Sequence, residues 1–281
     1  MEGPRVLFVS SEIYPYLPES PISNVCQQLP AAIQDKGFEI RTFMPKFGCV
    51  NERRNQLHEV IRLSGLNLII NDADHPLIIK VASISAARMQ IYFIDNEDYF
   101  QRKTLYKDEE GEWFPDNDER SIFFARGVLE TVRKLRWSPD IVHCHGWFSF
   151  LLALYMRRSF KDDPLYADSR IILSLYDEPT PEAFDENFKY KAMNDGVKNK
   201  DLETMNEPTF ENMVKMCISH ADGIIVAEPD SNEKYIEYAL ENKKHILEYQ
   251  SPEEYIDKYA DFYRLVAKRR KKNKDITPNG K

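Results

Sequence analysis

The run Arg5-Val-Leu-Phe-Val-Ser-Ser-Glu-Ile-Tyr-Pro-Tyr16 decides the fold. Val6 to Val9 are apolar without interruption, the pattern of a strand buried on both faces of a parallel sheet. A polar, aromatic, proline-marked loop follows. From Ile22, the apolar residues Val25, Cys26, Leu29 and Ile33 recur at helical spacing. Ser20 or Ser23 can cap this helix, and Gly37 stands where a left-handed C-terminal cap belongs. Phe38 to Met44 then supplies a second strand. The resulting βαβ unit requires a right-handed crossover. That puts the loop after the first strand at the carboxyl edge of the sheet, where open α/β sheets bind ligands.

A chain of 281 residues with 42% hydrophobic content suffices for a sizeable core. The net charge of -8 argues against nucleic acid as a partner, because such binders carry a basic face that replaces phosphate counterions. Cys26, Cys49, Cys144 and Cys217 show no C-x-x-C pairing and read as reduced thiols. No apolar run is long enough to cross a bilayer, so no membrane contact and a cytoplasmic location are expected.

Residues 56 to 94 change character, with short strand-like pieces at Leu57 to Leu63, Leu66 to Ile70, Pro76 to Ile84 and Met89 to Ile94. They read as an antiparallel excursion from the parallel core. Residues 95 to 116 are a long aromatic loop. A helix starting at Asp116 with acids in its first turn, a strand at Asp140 to His145, a helix from Trp147 to Phe160 and a strand at Arg170 to Leu175 restore the α/β alternation. Residues 177 to 207 lack apolar periodicity and are expected as a mobile surface segment. A helix at Asn212 to Ser219, a strand at Gly223 to Val226 and a helix at Ser231 to Leu240 complete a domain of residues 1 to 245. Within 246 to 268, Tyr255, Ile256, Tyr259, Phe262, Tyr263 and Val266 form an amphipathic stripe expected to dock on that domain. The run Lys268 to Lys272 leads into a basic tail, expected to be disordered over 269 to 281. The fold class is thus α/β: a single Rossmann-like, mostly parallel sheet with helices on both faces and a strand-rich excursion.

Without Gly-x-Gly-x-x-Gly or a Lys-Ser/Thr phosphate loop, no cofactor is predicted. His143 and His145 share one face of a strand end. No third ligand follows at a telling spacing, so they are expected to form a hydrogen-bonding wall and no metal site. Glu12, at the ligand edge, can serve as a general base, a hydroxyl acceptor, a helix cap or an ion-pair partner. Tyr14, Tyr16, Tyr99 and Trp147 can offer flat faces to a ligand or simply be half-buried. Cys144 lies in an apolar strand, where a thiol loses reactivity.

Several stretches then carry a resemblance: Arg5 to Pro15, Leu29-Pro-Ala-Ala-Ile33, Gly37-Phe-Glu-Ile-Arg-Thr-Phe-Met-Pro45, Asp116-Asn-Asp-Glu-Arg-Ser-Ile-Phe-Phe124, Pro139-Asp-Ile-Val-His-Cys-His-Gly-Trp147 and Ala221-Asp-Gly-Ile-Ile-Val-Ala227. Together and in order they resemble the N-terminal, acceptor-side half of bacterial glycogen and plant starch synthases. The resemblance implies one half of a GT-B glycosyltransferase and retaining transfer of glucose from a nucleotide-glucose to an α-1,4-glucan. It also implies a glycan cleft lined by Glu12, Tyr14, Tyr99, His143, His145 and Trp147.

The sequence departs from the family where the chemistry is concentrated. The family's Lys-x-Gly-Gly-Leu, which contacts donor phosphates, reads Pro18-Glu19-Ser20-Pro21-Ile22 here. A cation is replaced, an anion is added, and Pro21 removes an amide donor. Losing one preorganised charge-stabilising group costs on the order of a hundred- to a thousand-fold in rate. The family's His-x-His-Asp-Trp-His is His143-Cys-His-Gly-Trp-Phe148, its Thr-Ile-His-Asn is Ser174-Leu-Tyr-Asp177, and its Val-Ser-Pro before the inter-domain hinge is Val226-Ala-Glu-Pro229. Beyond the hinge that this last motif marks, roughly fifty residues follow, so the donor-binding Rossmann domain of the family is expected to be missing. The expectation is a protein without catalytic residues that binds α-glucan or maltooligosaccharide, with ADP-glucose and UDP-glucose disfavoured. Two alternatives stay open: a glucosyltransferase that needs a separate donor-domain chain, and a scaffold whose old cleft receives a protein partner.

Overall fold

In the computed structural model, which describes residues 3–231 and 233–267, ten strands and eight α-helices alternate along the chain. β1 (Arg5–Ser10) runs through α1 (Pro21–Asp35) into β2 (Glu39–Pro45). The excursion contributes β3 (His58–Glu59), β4 (Leu66–Ile70), β5 (Ala73–Ile84) and β6 (Met89–Asp95). Then come α2 (Glu97–Phe100), α3 (Asn117–Lys134), β7 (Ile141–His145), α4 (Leu152–Arg158) and β8 (Arg170–Leu175). The last part holds α5 (Phe188–Ala192), α6 (Phe210–His220), β9 (Gly223–Val226), α7 (Glu233–Glu241), β10 (His245–Leu247) and α8 (Tyr255–Ala267).

The strand order is β10-β9-β8-β7-β1-β2-β6-β5-β3, with β4 hydrogen-bonded to β5. All neighbours from β10 to β6 are parallel, while β5 turns antiparallel to β6 and pairs antiparallel with β3 and β4. Because the chain leaves β1 for β2 on one side and later returns to its other side as β7, the strand order reverses between β1 and β7. This is the switch point at which doubly wound sheets open a ligand crevice. Ser11 N–H donates to the His145 carbonyl (3.0 Å), extending the two strands into that crevice.

Alternation along each strand sorts the core into two faces. Val6, Phe8, Ile141, Ile172 and Ile225 pack beneath Leu29 and Ile33 of α1 and Tyr259, Phe262, Tyr263 and Val266 of α8. Leu7, Val9, Val142, Cys144 and Leu173 face α3, α4 and α6. Gly127 lets α3 approach closely: a Cβ there would lie 3.0 Å from both Ile94 and Leu77.

Four local readings change. Only His58–Glu59 of the run Leu57 to Leu63 is a strand. The helix expected from Trp147 begins with a 3₁₀ turn, and its α-helical part is Leu152–Arg158. β10, absent from the sequence reading, extends the sheet beyond β9. Residues 177 to 207 are folded, with Phe188, Leu202 and Met205 buried as isolated anchors that leave no periodic stripe. The basic run and tail lie outside the described residues.

Candidate functional site

At the end of β1, the Ser10 hydroxyl donates to the Glu12 carbonyl (2.9 Å) and turns the chain out of the sheet. The Glu12 carboxylate accepts from Ser20 Oγ (2.7 Å). Burial pushes the Glu12 carboxyl upward, and the Ser20 hydrogen bond opposes this. Ser20 also caps α1: its hydroxyl accepts from Ser23 N–H (3.0 Å), while Ser20 N–H donates to Ser23 Oγ (2.8 Å). This reciprocal cap consumes donors that a helix N-terminus would otherwise offer an anion. Pro21 at the first helical position has none to give. Pro18 and Glu19 are exposed on the same loop, and Tyr14 is half-buried, its N–H donating to the Ser23 carbonyl.

The histidine pair is placed differently from the cleft wall expected of it. His143 and His145 are fully buried, their ring centroids 3.8 Å apart. His143 lies 2.7 Å from Tyr263 Oη on α8 and 2.7 Å from Ser174 Oγ. His145 Nδ1 lies 2.9 Å from Tyr176 Oη. Burial pushes both imidazoles down, His145 to about 3, so they are neutral hydrogen-bonding groups under α8. The shared face was legible from their spacing; that α8 would cover it was not. Tyr99 also departs from the cleft. Its hydroxyl meets His75 Nε2 and Glu119 Oε2, both at 2.9 Å, in a network joining β5, α2 and α3.

What does open at the carboxyl edge is a cavity of about 130 Å³ beside Trp147. Gly146 makes the turn into it at φ +78°, and a Cβ there would fall 2.1 Å from Ser11 Oγ. Trp147 is 1% exposed and packs against Tyr106, Phe184 and Phe210. Its backbone N–H donates to Glu178 Oε1 (2.8 Å). Tyr176 and Glu178 enter from the end of β8, Phe210 from α6 and Tyr235 from α7. Burial, together with the charges of Glu12 and Glu228, pushes the Glu178 carboxyl up to about 8, against the pull of the Trp147 N–H. Glu228, following β9, accepts from Asp177 N–H (2.8 Å). Burial and then the charges of Glu12 and Glu178 hold the Tyr106 phenol well above its ordinary value. Glu178, Phe210 and Tyr235 were missed by sequence reasoning. For Glu178 a signal existed, since it follows a buried strand just as Glu12 does. The described residues include no cluster of three His, Cys, Asp or Glu side chains able to hold a metal ion.

The model of the starch synthase catalytic domain matches residues 5–243. The chain belongs to the starch synthase catalytic-domain family. Among curated relatives of this starch synthase-like chain, the glycogen synthase of Chlorobium limicola is 37% identical over 173 residues, 61% of this chain and 35% of that protein. The glycogen synthase of Chlorobium phaeovibrioides is 30% identical over 232 residues, 82% of this chain and 47% of its own length. The chain therefore spans less than half the length of these relatives. The catalytic domain of starch synthase IV from Arabidopsis thaliana, solved bound to ADP and acarbose, superimposes with a TM-score of 0.70 at 17% identity. It covers 89% of this chain and 52% of that one, a likeness of fold.

Proposed function

We propose that this starch synthase-like chain is a non-catalytic, cytoplasmic α-glucan-binding or accessory protein of glycogen metabolism, without a working nucleotide-sugar site. The observation that carries this reading is the pairing of a self-capped α1 with three carboxyl groups, Glu12, Glu178 and Glu228, along one sheet edge. A diphosphate meets no free lysine or glycine amide at the cap, and it meets negative charge beside it. A neutral, hydroxyl-rich ligand can donate to the carboxyls and lay its apolar ring face against Tyr176 or Tyr235. In this reading Trp147 belongs to the cleft wall, Glu12 and Tyr14 stand on the neighbouring β1 loop, and His145 holds Tyr176 from behind.

Thermal unfolding with maltoheptaose, ADP-glucose and UDP-glucose tests the reading, since a ligand of the folded state raises its apparent stability. Maltoheptaose is expected to raise the midpoint and both nucleotide sugars to leave it unchanged. A shift with ADP-glucose alone would favour a glucosyltransferase awaiting a donor-side partner. No shift with any α-glucan, together with a stoichiometric protein partner in a pull-down, would favour the scaffold.

A further inference from the structure

At the edge of the sheet opposite the Trp147 crevice, where β2 and β6 begin, lies a cavity of about 530 Å³, a size common among small-molecule sites. Arg41, Arg88 and one carboxylate, Glu39, line it. That carboxylate is engaged: Glu39 Oε2 accepts from Arg5 Nε (2.9 Å) and Oε1 from Trp137 Nε1 (2.5 Å). The carbonyls at the end of α1 are engaged as well, Gln34 accepting from Gly37 N–H (2.9 Å) and Ile33 from Lys36 N–H (3.1 Å). The two guanidiniums, in contrast, have no carboxylate partner among the described residues. Arg41 is nonetheless fixed. Its Nη1 donates to Tyr92 Oη (2.9 Å), its charge lies 5.2 Å from the Trp137 ring centroid, and Tyr92 is itself stacked on Phe43 at 4.9 Å. A guanidinium carries five N–H donors. The acceptor Arg41 has among the described residues is that one hydroxyl, and its Nε–H is buried without any.

We propose that this cavity binds a phosphate monoester of a small hydroxylated molecule, with Arg41 as the fixed donor and Arg88 as a second donor from the rim. A phosphate dianion takes parallel N–H donors from the planar fork of a guanidinium, and its three oxygens can be shared between two such groups. Because Tyr92 and Trp137 already hold Arg41, little side-chain freedom is lost when the anion arrives. Arg88 stands exposed just past the 3₁₀ turn Ser85–Ala87, with its charge unspent on the protein. The space exceeds what a phosphate alone fills, which is why an ester is favoured over the free ion. Gln34 and Gln90 also line the cavity, and each carboxamide offers a donor and an acceptor to hydroxyls on the rest of the ligand.

The test is isothermal titration of the full chain with ribose 5-phosphate, inorganic phosphate and ribose, at low ionic strength and about pH 7.5, where a phosphate monoester is mostly dianionic. Ribose 5-phosphate is expected to bind, inorganic phosphate to bind roughly tenfold more weakly, and ribose to give no heat. Arg88→Gly is expected to weaken ribose 5-phosphate about tenfold, the effect of one charge-assisted contact. Its fold is safe, since Arg88 has φ +50°, a conformation that glycine adopts freely. Arg41→Gln is expected to cost more, because it removes the fixed donor. Arg62→Gln, at an exposed arginine outside the cavity, should leave binding unchanged. Absence of ribose 5-phosphate binding, inorganic phosphate matching it, or an affinity that survives Arg88→Gly would each overturn the proposal. So would an equal loss in Arg62→Gln. The cavity and the Trp147 crevice share no lining residue, so either result leaves the glucan reading where it stands.

Discussion

Two loops at the same edge of one sheet, each carrying a glutamate just beyond a buried strand, have met opposite fates. After β1, Glu12 accepts from the Ser20 hydroxyl, and Ser20 is itself locked into the cap of α1. After β8, Glu178 accepts a backbone N–H and faces a cavity lined by aromatic rings. Equivalent topology therefore does not assign equivalent roles. The number of fixed partners separates a carboxyl that holds its loop in place from one that has a single backbone donor beside a cavity.

The largest expected effect strikes both loops at once. Gly146→Ala would place a Cβ 2.1 Å from Ser11 Oγ at a positive φ. It should destabilise the protein by about 3 kcal/mol, from backbone strain plus overpacking. Urea unfolding gives the value, and a loss below about 1 kcal/mol would show that the two loops are not mechanically joined. The next separates the glutamates by pH. A carboxyl whose folded value lies near 8, against 4.5 ordinarily, gives stability that is complete below pH 4.5 and is lost as pH rises through 8. Between pH 5 and pH 8 the wild type should therefore lose about 2 kcal/mol relative to Glu178→Gln, a figure reduced for the residue's partial exposure. Glu12→Gln should change this slope less, because Ser20 opposes the upward shift there. Equal slopes in the two variants would erase the distinction. Ser20→Ala is the mildest, costing about 1 kcal/mol through loss of the cap. An unchanged stability would mean that Glu12 and Ser23 find other partners.

Much of this could be read from residue order alone. Val6 to Val9, the cap signals around Ser20 and the alternation after Asp116 specify strands and helices through local periodicity, which survives without knowledge of the partner. The ligand edge followed from the hand of the βαβ crossover. The site itself was less legible. Phe210 and Tyr235 reach the cavity from α6 and α7, elements that pack together only in the folded protein. The spacing of His143 and His145 showed that they share a face. Which face is open depended on where the stripe from Tyr255 to Val266 came to rest.

That resting place also constrains how the protein is made. Phe8 of the first strand and Tyr263 of the last helix are ring neighbours, with centroids 6.3 Å apart. The part of that face of β1 which α1 does not cover therefore stays open until almost the entire chain described here has left the ribosome. A pairing of such sequence separation closes late and slowly, and the apolar surface it leaves waiting is a target for chaperones during synthesis.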